Sequence, residues 1–318
     1  MIEKTWNRKQ KRWLLVLAAG LAIGGCLGQP SKEGAGRDQS AERIVVSATE
    51  DDWALVEGRI KAAYDQELDK LSMGDLVARM GETFLGTPYA SQTLDPAGEE
   101  ELVVELQELD CVTFVETVLA LAGTIQALDV EDYGKMSKKE VRNAYSEKLV
   151  SIRYRAGHMD GYASRLHYFS EWIKDNAELG LLDELFGGPP AIAETEQINF
   201  MTTHSDAYWQ LRDDPTLIVD IQKIEAKLSA KSRFYVREED VYEIEPDLLN
   251  GDIVAATSSV EGLDVAHTGI AIWKEGRVHL LHAPLAGGVV QVSEQPLAER
   301  ILDIEGQDGV MIARPLGR

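Results

Sequence analysis

Residues 106–123, LQELDCVTFVETVLALAG, set one of the chain's two cysteines directly before a long apolar run. Val112, Val115, Leu119 and Ala122 form one stripe at helical spacing, and Phe114, Val118, Leu121 and Ile125 form a second. A helix apolar on nearly all sides belongs in the middle of a core. Asp110 is a good N-cap, which puts Cys111 on the first turn. A thiolate is the reactive form of cysteine, and a free thiol has a pKa of about 8.5. A helix start offers roughly half a positive charge and unpaired N–H groups, which favour the thiolate and can hold an oxyanion. The bland alternative is a buried, inert thiol. The reactive reading needs a base.

The N-terminus bears on the same cysteine. Lys4, Arg8, Lys9, Lys11 and Arg12 precede an apolar run from Trp13 to Ile23, which closes as Ile23-Gly24-Gly25-Cys26. Only about a dozen residues are strongly apolar, too few for a bilayer-crossing helix, so 1–25 reads as an export signal. Its ending resembles a bacterial lipobox, in which Cys26 would carry lipid, and Leu27 after it leans towards the outer membrane. An acylated Cys26 cannot pair with Cys111, leaving a free thiol in an oxidising compartment. Residues 26–48 read as a polar, Gly/Ser-rich tether. Removing 1–25, with five basic residues and one acidic, takes the formal charge from −22 to −26. That field disfavours nucleic acid and anionic lipid surfaces. Membrane attachment is therefore expected through lipid alone, with the chain on the periplasmic side.

Helical spacing runs from Thr49 to Arg79, with a second helix starting near Met73, until FLGTPYA (84–90) breaks it. Residues 136–185 also read as helical and are rich in Arg, His and aromatics. The last third is a series of short β runs: DIVAAT, AHTGIAIW, VHLLHA and GVVQVS. No metal-type Cys/His spacing is present. Among the six histidines, a hairpin turning at Lys274-Glu275-Gly276-Arg277 selects two. With Trp273 opposite Val278, His267, Gly269 and His282 share one face and His279 points to the other. His267 and His282 are then diagonal neighbours, about 7–8 Å apart at Cα. Gly269 beside them would leave room for the helix end. A three-residue loop would slip the register and put His279 in place of His282.

With these residues in place, the LDCVTFVE, HTGIAIW and LLHAP segments resemble the Cys–His–His series of the NlpC/p60-type cysteine peptidases, papain-like cell-wall hydrolases. FLGTPY, DCVTFVE, RYRAGHMDGYASRLHYFSEWIKDN, INFMTTH, GDIVAATSSVEGLDVAHTGIAI and LLHA, in that order over about residues 70–315, resemble its N-acetylmuramoyl-L-alanine amidase-like branch. Pro284 stands where the superfamily usually has Ser. The resemblance implies an α+β fold, with Cys111 as nucleophile, His267 as base and His282 as third polar residue. It also implies hydrolysis of the amide between N-acetylmuramic acid and L-alanine in muropeptides, without metal or organic cofactor. The alternatives are a γ-D-glutamyl endopeptidase on the same peptide stem and a lipoprotein that binds glycan or peptide without cutting it. On this reading 49–318 is a single catalytic domain: 49–100 helical, 101–190 the catalytic helix and a helical insert, and 191–318 mainly sheet. Peptide stems carry carboxylates, which arginine binds bidentately. Arg153, Arg155 and Arg165 are therefore candidate substrate contacts, with His167, Tyr168, Asp110 and Tyr89, the last also a possible oxyanion donor. Asn199 and Asp264 are weaker candidates, and internal ion pairing is the plain alternative for the arginines.

Overall fold

The computed structural model describes residues 44–128 and 130–317. The expected export signal, Cys26 and nearly all of the expected tether lie outside them. The helices around the core begin where side-chain caps take the first free N–H groups. Thr49 opens α1 (Glu50–Asp65), Ser72 opens α2 (Met73–Glu82), Asp110 opens α3 (Cys111–Ala127) and Ser137 opens α4 (Lys138–Arg153). Each cap contributes about 1 kcal/mol. The central helix is α3, buried from Thr113 to Ile125 except at Gly123. Trp53, Val56 and Ile60 of α1, Leu76 and Met80 of α2, and Tyr145 and Leu149 of α4 pack around it in one core.

A sheet closes the other side of α3. Beside the short parallel pair β1 (Val46–Ser47) and β2 (Leu102–Val103), eight strands form one antiparallel sheet. They are β3 (Leu182–Glu184), β4 (Ile192–Glu194), β5 (Arg233–Arg237), β6 (Ile253–Ser258), β7 (Val265–Lys274), β8 (Arg277–His282), β9 (Gln291–Pro296) and β10 (Gln307–Pro315). Their order is β4-β5-β10-β6-β7-β8-β9, with β3 also on β10. Alternation divides the faces. Ile270, Ile272 and Leu281 join the core of α3, whereas Ala271, Val278 and Leu280 join a second core with α7 (Leu297–Asp303).

The β7–β8 hairpin pairs Trp273 with Val278 and Ile272 with His279 across the two-residue turn Glu275-Gly276. Both turn residues have positive φ, 53° and 80°, the conformation whose twist suits a tight hairpin and which glycine adopts freely. The slipped register is thereby excluded.

Two expectations need correction. Residues 136–185 are not helical throughout: α4 ends at Arg153, and α5 (Phe169–Glu178) begins only after an irregular stretch. Ala156, Gly157 and Gly161 there have positive φ, which no right-handed helix accommodates. Gly269 does not clear space for a helix end. A Cβ on it would lie 2.8 Å from the Leu281 carbonyl and 2.9 Å from the Leu280 side chain, so it serves the packing of β8.

Candidate active site

Cys111 stands at the start of α3 because Asp110 caps that helix. One carboxylate oxygen of Asp110 accepts from the Val112 N–H (3.0 Å), the Thr113 N–H (2.8 Å) and the Thr113 hydroxyl (2.8 Å). Asp110 is thus committed to the helix, and the cap leaves the Cys111 N–H out. The sulfur faces the main-chain N–H of Thr268, the residue after His267, together with the N–H groups of Cys111 and Val112. Burial nevertheless pushes the thiol up to about 12, helped by the charge of Asp110.

His267 and His282 project from neighbouring strands and meet: His267 Nε2 lies 2.7 Å from His282 Nδ1, the rings nearly perpendicular. This contact leaves Nδ1 of His267 as the nitrogen free to take a proton. Burial, then the charge of Arg300, holds His267 down to about 3. His282 falls to about 2 through burial, His267 and Arg300. His279 faces the other way and is buried, with Nδ1 donating to the Ser293 carbonyl at 2.9 Å. At rest the thiol and both imidazoles are therefore neutral.

Tyr89 belongs to the same cluster. Its N–H donates to the Gly288 carbonyl (2.8 Å), while Leu109 N–H donates to the Pro88 carbonyl (2.9 Å), tying this loop to the residue before the cap. Burial, then Cys111 and Asp110, raise the Tyr89 phenol above its ordinary range, so it remains a proton donor.

The remaining candidates are engaged elsewhere. Arg153 is buried, with Nε donating to Glu116 and Nη1 to the Val103 carbonyl, both at 2.7 Å. Arg165 donates to Asp95 (2.6 Å) and the Leu94 carbonyl (2.7 Å), lies 3.6 Å from Glu100, and pins the polar loop before β2. Arg155 grips Glu171 with two nitrogens, at 2.8 and 2.9 Å, and the Ala163 carbonyl with the third. These guanidiniums are held by partners within the chain, which favours internal ion pairing, the plain alternative, over a substrate-facing cluster. His167 donates to the Tyr162 carbonyl and packs on that ring. Tyr168 is buried, donating to Glu225 and accepting from the Met201 N–H; both residues brace the insert that contains α6 (Pro215–Ser229). Asn199 precedes a short helix against Gly262, and Asp264 accepts from the Ser170 and Val265 N–H groups. Sequence reasoning missed Thr268 and Arg300. The first acts through its main chain, and the second acts on the histidines by its charge, from α7, far along the chain. Among the described residues no group of three or more His, Cys, Asp or Glu is arranged to hold a metal.

Residues 79–307 match a family model described as AmiA-like, N-acetylmuramoyl-L-alanine amidase-like. A solved N-acetylmuramoyl-L-alanine amidase from Bacteroides uniformis is similar at 34% identity and TM-score 0.68, covering 77% of this chain and 99% of its own. A Bacteroides fragilis structure, provisionally described as a xylanase, is similar at 34% identity and TM-score 0.65, covering 74% and 99%. A Legionella pneumophila structure shares the fold at 21% identity and TM-score 0.57, covering 83% and 96%. No curated protein matches the chain.

Proposed function

Because the chain belongs to the AmiA-like, N-acetylmuramoyl-L-alanine amidase-like family, we propose that it is a cysteine amidase that cuts the N-acetylmuramoyl-L-alanine bond of muropeptides. We place it with the papain-like NlpC/p60 hydrolases. One observation carries this reading: the sulfur at the start of α3 abuts the main chain next to His267, whose Nε2 is taken up by His282. A base acting through Nδ1 must carry its proton on Nε2, and His282 Nδ1 is the acceptor that fixes this tautomer. Cys111 attacks the lactyl carbonyl as its proton passes to His267. The oxyanion meets the Cys111 N–H, which the cap leaves free, and the Tyr89 hydroxyl, which stays protonated. His267 then protonates the leaving amine of L-alanine, and water releases the acyl group. A xylanase would use two facing carboxylates, whereas the carboxylate beside this sulfur, Asp110, is spent on the helix cap.

Mass spectrometry of a defined muropeptide after incubation tests the reading. An N-acetylmuramoyl sugar and a peptide beginning with L-alanine are expected from wild type and neither from Cys111→Ala. A sugar that keeps L-alanine and D-glutamate would instead show a γ-D-glutamyl endopeptidase. We also propose that lipid on Cys26 anchors the enzyme to the periplasmic face of the outer membrane, on the strength of the Ile23-Gly24-Gly25-Cys26 ending. Labelled fatty acid should enter wild type and not Cys26→Ser; equal incorporation in both would defeat the proposal.

A further inference from the structure

In a chain with 54 acidic residues against 32 Lys and Arg, an arginine without a carboxylate is conspicuous. Arg142, Arg153, Arg155, Arg165, Arg277 and Arg314 each hold one. Arg300 does not. Its Nε is buried with no acceptor, and no ion pair joins its guanidinium to a carboxylate among the described residues. It lies on α7, whose Leu297, Ala298 and Ile301 pack with Ala271 and Leu280. Strand alternation puts His267 and His282 on the same sheet face as Ala271 and Leu280. The cation thus stands on the side of the sheet to which both histidines point, within electrostatic reach of each. A partly desolvated guanidinium lacking an acceptor is costly, and an incoming carboxylate would relieve that cost.

We propose that Arg300 is a carboxylate subsite beside the histidine pair and holds a free carboxylate of the substrate's peptide stem. This rests on the muropeptide reading above. It assigns to one unpaired arginine the selectivity that the sequence suggested for the three now seen to be paired. Equilibrium binding separates it from turnover. The full chain carrying Cys111→Ala is titrated with N-acetylmuramoyl-L-alanyl-D-isoglutamate and with its diamide. The acid should bind about ten- to a hundredfold more tightly than the diamide, the range of a charge-assisted bidentate contact. Arg300→Gln should reduce the acid to the affinity of the diamide while leaving the diamide unchanged. Arg300→Lys, which keeps the charge and loses the fork, should retain part of the preference, and it carries the test should the Gln variant not fold. Equal or absent binding of the two ligands overturns the proposal, as does a preference undiminished in both variants. Cleavage by the Cys111-intact protein is scored separately. Acid selectivity without cleavage would refute the hydrolase reading and keep the subsite; cleavage without acid selectivity would do the reverse.

Discussion

At the scale of a single residue, two influences on the Cys111 sulfur pull in opposite directions. The start of α3 offers N–H groups and the positive end of the helix, which favour a thiolate. Burial favours the thiol, and the Asp110 carboxylate that caps the helix places negative charge beside the sulfur. Burial wins, because the same carboxylate that starts the helix offsets its positive end. His267 is set correspondingly low, at about 3, so in the proposed reaction proton transfer accompanies attack and no ion pair precedes it. Alkylation of Cys111 by iodoacetamide should accordingly be slow at pH 7 and rise about tenfold per pH unit above it, following the thiolate fraction. kcat/KM should not decline as pH falls through 6.5, because His267 stays unprotonated well below that. An alkylation rate flat from pH 5 to 9 would reveal a preformed thiolate–imidazolium pair and refute this account.

At the scale of elements, the helix that carries Cys111 is held by a buried ion pair. Glu116 of α3 and Arg153 of α4 are each nearly inaccessible, and Arg153 also reaches the Val103 carbonyl of β2. Removing one partner strands the other charge in the core, at a cost of about 3–5 kcal/mol. Replacing both by apolar groups of similar volume avoids that cost. Denaturant unfolding should therefore find Arg153→Ala and Glu116→Ala each strongly destabilised, with Glu116→Leu/Arg153→Met closer to wild type than either. Additive losses would mean the pair contributes nothing beyond its separate packing. The same elements mark what the sequence could disclose. The α3 stripes and the two-residue Glu275-Gly276 turn are local patterns, so the helix, the hairpin and the meeting of His267 with His282 were readable. Arg153 was not, because only packing reveals that Glu116 lies opposite it. Nor was β10, a central strand whose neighbours β5 and β6 are remote in sequence. Its Gly309 has a role invisible in one dimension: a Cβ there would lie 2.2 Å from the Val236 carbonyl.

For the whole molecule, the two site histidines set a direction for stability against pH. Their folded values, about 3 and about 2, lie below the value of about 6.5 for an unfolded histidine. Between those limits the unfolded chain binds protons that the folded chain refuses, so stability rises with pH across that window. It is fully present above about pH 6.5 and is lost progressively as pH falls towards the folded values. The buried carboxylates Asp110, Glu116 and Asp264, raised above their ordinary range chiefly by burial, contribute with the opposite sign. They bind protons more readily folded than unfolded, so they partly offset the acid loss. The histidine contribution is isolated by comparing slopes, which cancels the carboxylates common to both proteins. Unfolding free energy measured from pH 4 to pH 7 should climb more steeply for wild type than for His267→Gln/His282→Asn, whatever their difference at pH 7. Parallel curves would mean that the histidines are hydrated and titrate near 6.5 in the folded protein. In that case the neutral resting site would be lost with them, and proton transfer to His267 would begin from a partly protonated base at mildly acid pH.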